Sequence, residues 1–189
     1  MHWTFLSDCA MMTAMRQAMR IVKPELIPLG EDVPLDNLIK VLSVCQQMEI
    51  VCKYEGGVGL SAVQVGIPWK LFIMRGQSEN NPLVKPGEVG YFVNCDYRGI
   101  TNEEPVVSSE GCLSIRSDSG QLRFFRVERF KTIQMSGLKL IFDKQKTKVE
   151  TKNFYYDIGV DADGVVYQHE MDHASGKLIS QIGTEVFIW

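Results

Sequence analysis

The amino-acid sequence predicts an α+β fold, a compact single domain with antiparallel or mixed β-sheets around a C-terminal helix. Apolar residues recur with a helical period over residues 36–54, and a second helix is expected at about 165–176. Between them, apolar and β-branched runs are separated by turn residues, as in strands. Helices at the two ends of a run of strands, without regular alternation, are typical of the α+β class.

The composition is that of one globular domain. The chain has 189 residues, 45% of them hydrophobic and 23% charged, so it can bury a core without disulfides. Five cysteines at irregular spacing do not match a secreted disulfide framework, so reduced thiols in the cytoplasm are expected. With a net charge of −3 and no run of about 20 apolar residues, neither nucleic-acid binding nor a membrane span is expected.

One apolar face predicts the first helix. Asp36 is its expected N-cap, and the glycines at 56–57 should end it. Residues 1–20 are expected to be an N-terminal extension or a short helix, because methionines recur there at helical spacing. Residues 21–189 would then be the folded domain. The apolar face consists of Leu38, Leu42, Cys45, Met48 and Cys52.

The strands are predicted after Pro68. Residues 77–89 are polar and contain proline and glycine, so this segment should be a surface loop. The expected strands cover residues 70–75, 90–95, 130–136, 139–144 and 147–156.

The last helix contains the sequence His169-Glu170-Met171-Asp172-His173. Residues four apart lie on one face of a helix, so the two imidazoles can bind one metal ion. Glu170 lies beside them, where it can accept a proton from a water molecule. Two of the chain's three histidines occur here, which favours a metal site over a chance pair on an exposed helix.

A catalytic site of this kind needs a third protein ligand and one open position. The 16 residues after His173 contain no histidine, and their only carboxylate is Glu185. The third ligand is therefore expected upstream, and Cys112 in the segment EGCLS is the best candidate, since a thiolate suits a first-row divalent metal. A lone cysteine after a glycine is more often structural, so this segment alone does not decide.

A glycine-rich segment, GVGLSAVQ at 57–64, is the third candidate. Its small residues would let a substrate backbone approach closely, and Gln64 offers an amide donor. The alternative is a glycine-rich helix end followed by a surface glutamine.

Together, the three segments resemble the motifs of the peptide deformylase family. That family has G-x-G-hydrophobic-A-A-x-Q, then E-G-C-hydrophobic-S, then Q-H-E-hydrophobic-D-H. Here they read GVGLSAVQ at 57–64, EGCLS at 110–114 and QHEMDH at 168–173, and the resemblance covers about residues 21–179. It implies that Cys112, His169 and His173 bind one divalent metal, typically Fe(II), with zinc, nickel or cobalt also able to occupy the site.

The resemblance also implies roles around the metal. Glu170 would be the catalytic acid/base, and Gln64 and the backbone NH of Leu113 would stabilise the oxyanion. Val165 and Val166 would line the pocket for the methionine side chain. The residues expected to bind the substrate main chain are Val58, Gly59 and Gly111.

The implied activity is hydrolysis of the N-formyl group from the formyl-methionine of newly made polypeptides, with release of formate. The enzyme would act as a monomer near the ribosome, without direct contact to nucleic acid or membrane. Its expected location is the cytoplasm of a bacterium or a phage-infected cell, with an organelle as the alternative.

Two other functions are compatible with the residues. A metallopeptidase could use the same helix motif, but the missing downstream ligand argues against it. A non-catalytic, metal-stabilised protein is the second alternative, although a structural metal needs neither Glu170 nor Gln64.

Several positions depart from the family pattern. Ser61 stands where alanine is usual, and Arg116 stands where a proline is common, so the entrance loop is expected to differ. Ala174 replaces a usual leucine, which should loosen the packing behind the site. The chain also ends soon after the last helix, without the longer C-terminal helix of many members. We expect these departures to affect specificity and stability more than activity.

Overall fold

The structure is a computed structural model that describes residues 19–143 and 148–186. In these residues, the α-helices are α1 (Leu38–Tyr54), α2 (Gly164–Ala174) and α3 (Ile179–Ile182), with 3-10 turns at Pro24–Leu26, Ala62–Val65 and Val160–Ala162. The strands are β1 (Gly59–Ser61), β2 (Leu71–Arg75), β3 (Val89–Gly99), β4 (Val106–Arg116), β5 (Leu122–Arg129), β6 (Thr132–Phe142), β7 (Val149–Gly159) and β8 (Thr184–Val186).

The strands form two antiparallel sheets. The larger has the order β1-β2-β3-β6-β7, and the smaller has the order β4-β5-β8. Strands β1 and β4 each lie at the edge of their own sheet. Helix α1 contacts β1, β2 and β7, and helix α2 contacts β1, β2 and β3. The predicted α+β class is therefore confirmed.

Helix α2 has two faces with different partners. Tyr167 and Met171, four residues apart, project into a buried core where the Tyr167 ring packs edge-on against Phe92. His169 and His173 are offset by two positions and lie on the opposite face, towards β4 of the smaller sheet. The helical period thus buries one face in the larger sheet and directs the histidines away from it.

Both predicted helices are present. Helix α1 begins at Leu38 because Asn37, not Asp36, is its N-cap: the Asn37 side chain accepts a hydrogen bond from Lys40 N at 3.0 Å. Most of the methionine-rich segment predicted near the N-terminus lies outside the described residues. From Met19 to Val22 the chain has no regular secondary structure.

The strand predictions for 70–75 and 90–95 are confirmed by β2 and β3, and the prediction for 147–156 is confirmed by β7, with residue 147 outside the described residues. The two strands predicted at 130–136 and 139–144 are one strand, β6, because Gly137 remains in the ladder opposite Phe154 instead of forming a turn; residue 144 lies outside the described residues. Strands β1, β4, β5 and β8 are not among the predicted elements. Within the described residues, no helix is long and apolar enough to cross a lipid bilayer.

Candidate metal centre and active site

Cys112, His169 and His173 converge on one point between β4 and α2. One donor atom from each of them lies within 4.8 Å of the other two. The Cys112 Sγ is 3.4 Å from His173 Nε2. Cys112 and His173 are almost fully buried, and His169 is half-buried at the wall of a cavity. The structure therefore places together the three residues that the sequence predicts as ligands.

This donor set fits a first-row divalent cation. A thiolate and two imidazoles are ligands of zinc and of its neighbours in the series, and three of them leave a position open. The His169 Nδ1 is 2.7 Å from Glu110 Oε2, so its Nε2 is the ring nitrogen left for an ion. Burial lowers the pKa of His173 well below its ordinary value, which keeps that ring neutral. A neutral imidazole is the form that binds a metal.

A buried charge network supports the site from behind. Arg129 Nε and Nη2 donate to the two oxygens of Glu110, each at 2.8 Å, and Nη1 donates to Asp172 Oδ2 at 2.5 Å. The Tyr97 hydroxyl donates to the other Asp172 oxygen at 2.8 Å. These supporting residues are absent from the sequence predictions, although Glu110 and Asp172 lie inside the predicted motifs.

The network sets the charge of Glu110. Burial raises the pKa of this carboxyl, but the hydrogen bonds from Arg129 and His169 outweigh burial and lower the pKa to about 2. Glu110 is therefore a carboxylate at neutral pH and can orient the His169 ring.

Gln64 lies beside the predicted ligands, at the 3-10 turn that follows β1. Its Oε1 accepts a hydrogen bond from Ser61 N at 2.9 Å. Its Nε2 donates to Ser114 Oγ at 3.1 Å and is 3.4 Å from Cys112 Sγ. The amide NH2 thus faces the candidate metal centre, and Leu113 lines the same cavity.

Glu170 is buried against β1. Its Oε2 accepts a hydrogen bond from Ser61 Oγ at 2.8 Å. Gly59 lies directly against the carboxyl group, and a Cβ at this position would overlap it. Burial raises the pKa of Glu170 to about 7. A carboxyl group in this range can both accept and return a proton near neutral pH.

A cavity of about 310 Å³ opens onto His169 and Glu170. All residues predicted to bind the substrate lie on its wall: Val58, Gly59, Gly111, Val165 and Val166. The wall also includes Leu122 and Phe124 of β5, which sequence reasoning missed because β5 was not predicted. The Phe124 ring packs over Gly111, its partner in the β4–β5 ladder.

Two departures from the family pattern have structural counterparts. Arg116 pairs with Glu55 at 2.7 Å and donates to Gly120 O at 2.9 Å, which links the β4–β5 hairpin to the end of α1. Ala174 packs against the backbone of Gly30, whose N donates to Ala174 O at 2.9 Å.

After α2 the chain turns into α3 and then β8. Strand β8 pairs with β5, and Arg123 binds Glu185 through two hydrogen bonds of 2.6 and 2.5 Å. The C-terminal segment therefore extends the sheet that contains Cys112.

This chain is similar to known proteins of one family. The sequence model of the family described as Polypeptide deformylase matches residues 20–184. The peptide deformylase of Shouchella clausii is 29% identical over 161 residues, which is 83% of this chain and 79% of the relative. That of Buchnera aphidicola subsp. Acyrthosiphon pisum is 28% identical over 142 residues, or 74% of this chain and 67% of the relative.

Solved structures have the same fold. A probable peptide deformylase from Synechococcus phage S-SSM7 matches with a TM-score of 0.60 and 26% identity, over 87% of this chain and 99% of that chain. The Met-Ala-Ser-bound class I type b peptide deformylase of Acinetobacter baumannii matches with a TM-score of 0.61 and 23% identity, over 87% and 97%. With a family match over nearly all described residues, the chain belongs to the polypeptide deformylase family.

Proposed function

We propose that this chain performs the reaction of its family, removal of the N-formyl group from formyl-methionine, with Cys112, His169 and His173 as metal ligands and Glu170 as acid/base. One observation carries the assignment of these residues. The thiol and the two imidazoles lie together, and one of them, that of His169, lines a cavity whose wall also contains Glu170 and Gln64. Proton transfer and oxyanion binding could thus take place beside an ion that these ligands would hold.

We propose Fe(II) as the native metal, from the family resemblance, while zinc, nickel and cobalt also suit a thiolate and two imidazoles. When bound, a divalent ion would supply Lewis acidity towards the formyl oxygen and towards water.

Glu170 transfers the proton in this mechanism. Its carboxylate accepts a proton from the attacking water, and it later returns this proton to the departing amine nitrogen. Because Glu170 lines the cavity and is buried on its other side by β1, the carboxylate is directed at the bound substrate and is shielded from bulk solvent. The products are formate and a free N-terminal amine.

Gln64 and the Leu113 backbone NH are the proposed oxyanion donors. The Gln64 amide is already oriented by its bond from Ser61 N, so little reorganisation is needed when negative charge develops on the formyl oxygen. One donor of this kind contributes about 2.7–4 kcal/mol to the barrier reduction in comparable sites.

The peptide is proposed to bind in an extended form. Strands β1 and β4 are edge strands, and residues at or beside them, Val58, Gly59 and Gly111, line the cavity. A substrate backbone can therefore pair as an added strand. The methionine side chain, unbranched and polarizable, would pack against Val165 and Val166.

The decisive assay is formate release from formyl-Met-Ala-Ser by anaerobically purified protein, with metal analysis of the same sample. This peptide is the formylated form of the one named for the Acinetobacter baumannii structure. Turnover in proportion to bound metal is expected. Cleavage of an internal bond in the unformylated peptide, detected by mass spectrometry of the products, would favour a metallopeptidase. A metal-loaded protein that releases no formate would favour a non-catalytic role.

We also propose that the enzyme acts in the cytoplasm on nascent chains, close to the ribosome, as a monomer and without direct contact to nucleic acid. Its net charge of −3 gives no general attraction to RNA. A mass near 21.4 kDa in light scattering is expected for a monomer.

A further inference from the structure

The hydroxyl group of Ser61 lies between two oxygen atoms of Glu170. Ser61 Oγ is 2.8 Å from the carboxylate Oε2 and 2.6 Å from the backbone carbonyl oxygen of the same residue. Both side chains are buried. A hydroxyl has one proton to donate, and a charged carboxylate is the stronger acceptor. In the ionised form of Glu170, the Ser61 proton is therefore directed at Oε2.

Strand β1 holds this carboxyl group from two positions. Gly59 and Ser61 are two residues apart and face the same side of the strand. Gly59 packs against the end of the side chain near Oε1, where any Cβ would overlap it. Packing on one side and a hydrogen bond on the other leave the carboxyl group little rotational freedom.

The backbone N–H of Ser61 binds a second side chain of the site, that of Gln64. This N–H donates to Gln64 Oε1 at 2.9 Å, which directs the Gln64 amide NH2 towards Cys112 and Ser114. An alanine, the usual residue at this position in the family, would keep this backbone bond. It would lose only the hydroxyl contact to Glu170.

We propose that Ser61 is a positioning residue for the acid/base of this enzyme: its hydroxyl fixes Glu170 Oε2 and leaves Oε1, beside Gly59 at the cavity wall, for proton transfer. This inference rests on the proposed role of Glu170. A purely structural role is the competing explanation, because the same hydroxyl also ties β1 to α2 through the Glu170 carbonyl oxygen.

The test compares Ser61→Ala with Ser175→Ala. Ser175 follows α2 and its hydroxyl donates to Met171 O at 3.2 Å, so the control removes a hydroxyl bound to the same helix but not to Glu170. Rates with formyl-Met-Ala-Ser are expressed per bound metal and per folded protein. Loss of a hydrogen bond to a charged group should lower kcat of Ser61→Ala roughly tenfold, with KM within about twofold. Ser175→Ala should match the parent.

A double-mutant cycle separates positioning from structure. In a Glu170→Asp background the shorter carboxylate no longer reaches Ser61, so adding Ser61→Ala should change kcat by less than about twofold. An equal loss in both backgrounds would overturn the proposal, as would a Ser61→Ala variant whose activity per bound metal equals that of the parent. Ser61→Thr, which keeps the hydroxyl, should retain more kcat than Ser61→Ala.

The same set of variants distinguishes this inference from the proposed function. If Glu170→Gln keeps full turnover, Glu170 is not the acid/base, and both proposals fail. If Glu170→Gln is inactive while Ser61→Ala is normal, only the role of Ser61 fails.

Discussion

Arg129 binds Glu110 through two parallel hydrogen bonds of 2.8 Å, and both side chains are buried behind His169. Glu110 in turn lies 2.7 Å from His169 Nδ1. The arginine therefore keeps the carboxylate ionised and in place, and the carboxylate fixes the ring of one proposed metal ligand.

Replacing Glu110 by glutamine should weaken metal binding. Glu110→Gln keeps the shape of the side chain but removes the charge that orients His169, and loss of such a partner lowers metal affinity by about 10–100-fold in comparable sites. Chelator competition followed by metal analysis measures this. The matched control is Glu55→Gln, which breaks the ion pair with Arg116 without touching a proposed ligand. Equal affinity of Glu110→Gln and the parent would contradict the role of Glu110.

Replacing Glu170 by glutamine should separate metal binding from catalysis. Glu170 does not belong to the thiol and imidazole cluster, so Glu170→Gln is expected to keep its metal. Without a group that can accept the proton of water, kcat should fall by at least about 100-fold. Metal content and formate release from one sample check both parts. A variant with full metal and full turnover would show that another group accepts the proton.

The sequence predicts the chemical groups of this site better than it predicts the strands that position them. The histidines of α2 could be assigned because a helix fixes which residues share a face. Strand β4 could not be predicted, since its residues from Ser108 to Gly111 are polar or lack a side chain and show no strand alternation. A metal-binding histidine usually donates its other ring N–H to an acceptor such as a carboxylate. This rule could have suggested Glu110, next to the glycine of the EGCLS segment, as the partner of His169.

The periodicity of the sequence does not predict contacts between segments that are far apart in the chain. Nothing local indicates that the Ser61 hydroxyl meets Glu170, which is 109 positions away in the chain. Pairing of β8 with β5 depends in the same way on the turn through α3. Local periodicity determines which residues share a face, whereas tertiary packing determines which faces meet.

The pairing of β8 should depend on pH. The hydrogen bonds from Arg123 lower the pKa of Glu185 below the ordinary carboxyl value of 4.5. A carboxyl group with a lowered folded-state pKa stabilises the protein above its unfolded-state pKa and loses this effect as pH falls through the folded value. Glu185→Gln should therefore lower Tm at about pH 7, by roughly a few degrees at most for a solvent-exposed pair.

The difference in Tm between parent and Glu185→Gln should shrink as pH is lowered from about 6 to about 3. Thermal unfolding of both metal-free proteins across this range measures it. A difference that stays constant would mean that Glu185 acts through packing and not through its charge.

Breaking the Arg116–Glu55 pair should affect substrate binding more than chemistry. The pair joins the β4–β5 hairpin to the end of α1. Leu122, the ladder partner of Arg116, and Gly56, which follows Glu55, line the cavity. Arg116→Ala removes the ion pair between these two sides of the cavity, so they can move relative to each other while the proposed metal ligands stay in place. A partly exposed ion pair contributes at most about 1 kcal/mol, so KM for formyl-Met-Ala-Ser should rise no more than about fivefold, with kcat within about twofold.

The control is Arg98→Ala, because Arg98 binds Gln134 on a surface that does not border the cavity. A larger loss in kcat than in KM would indicate that Arg116 supports the metal centre itself.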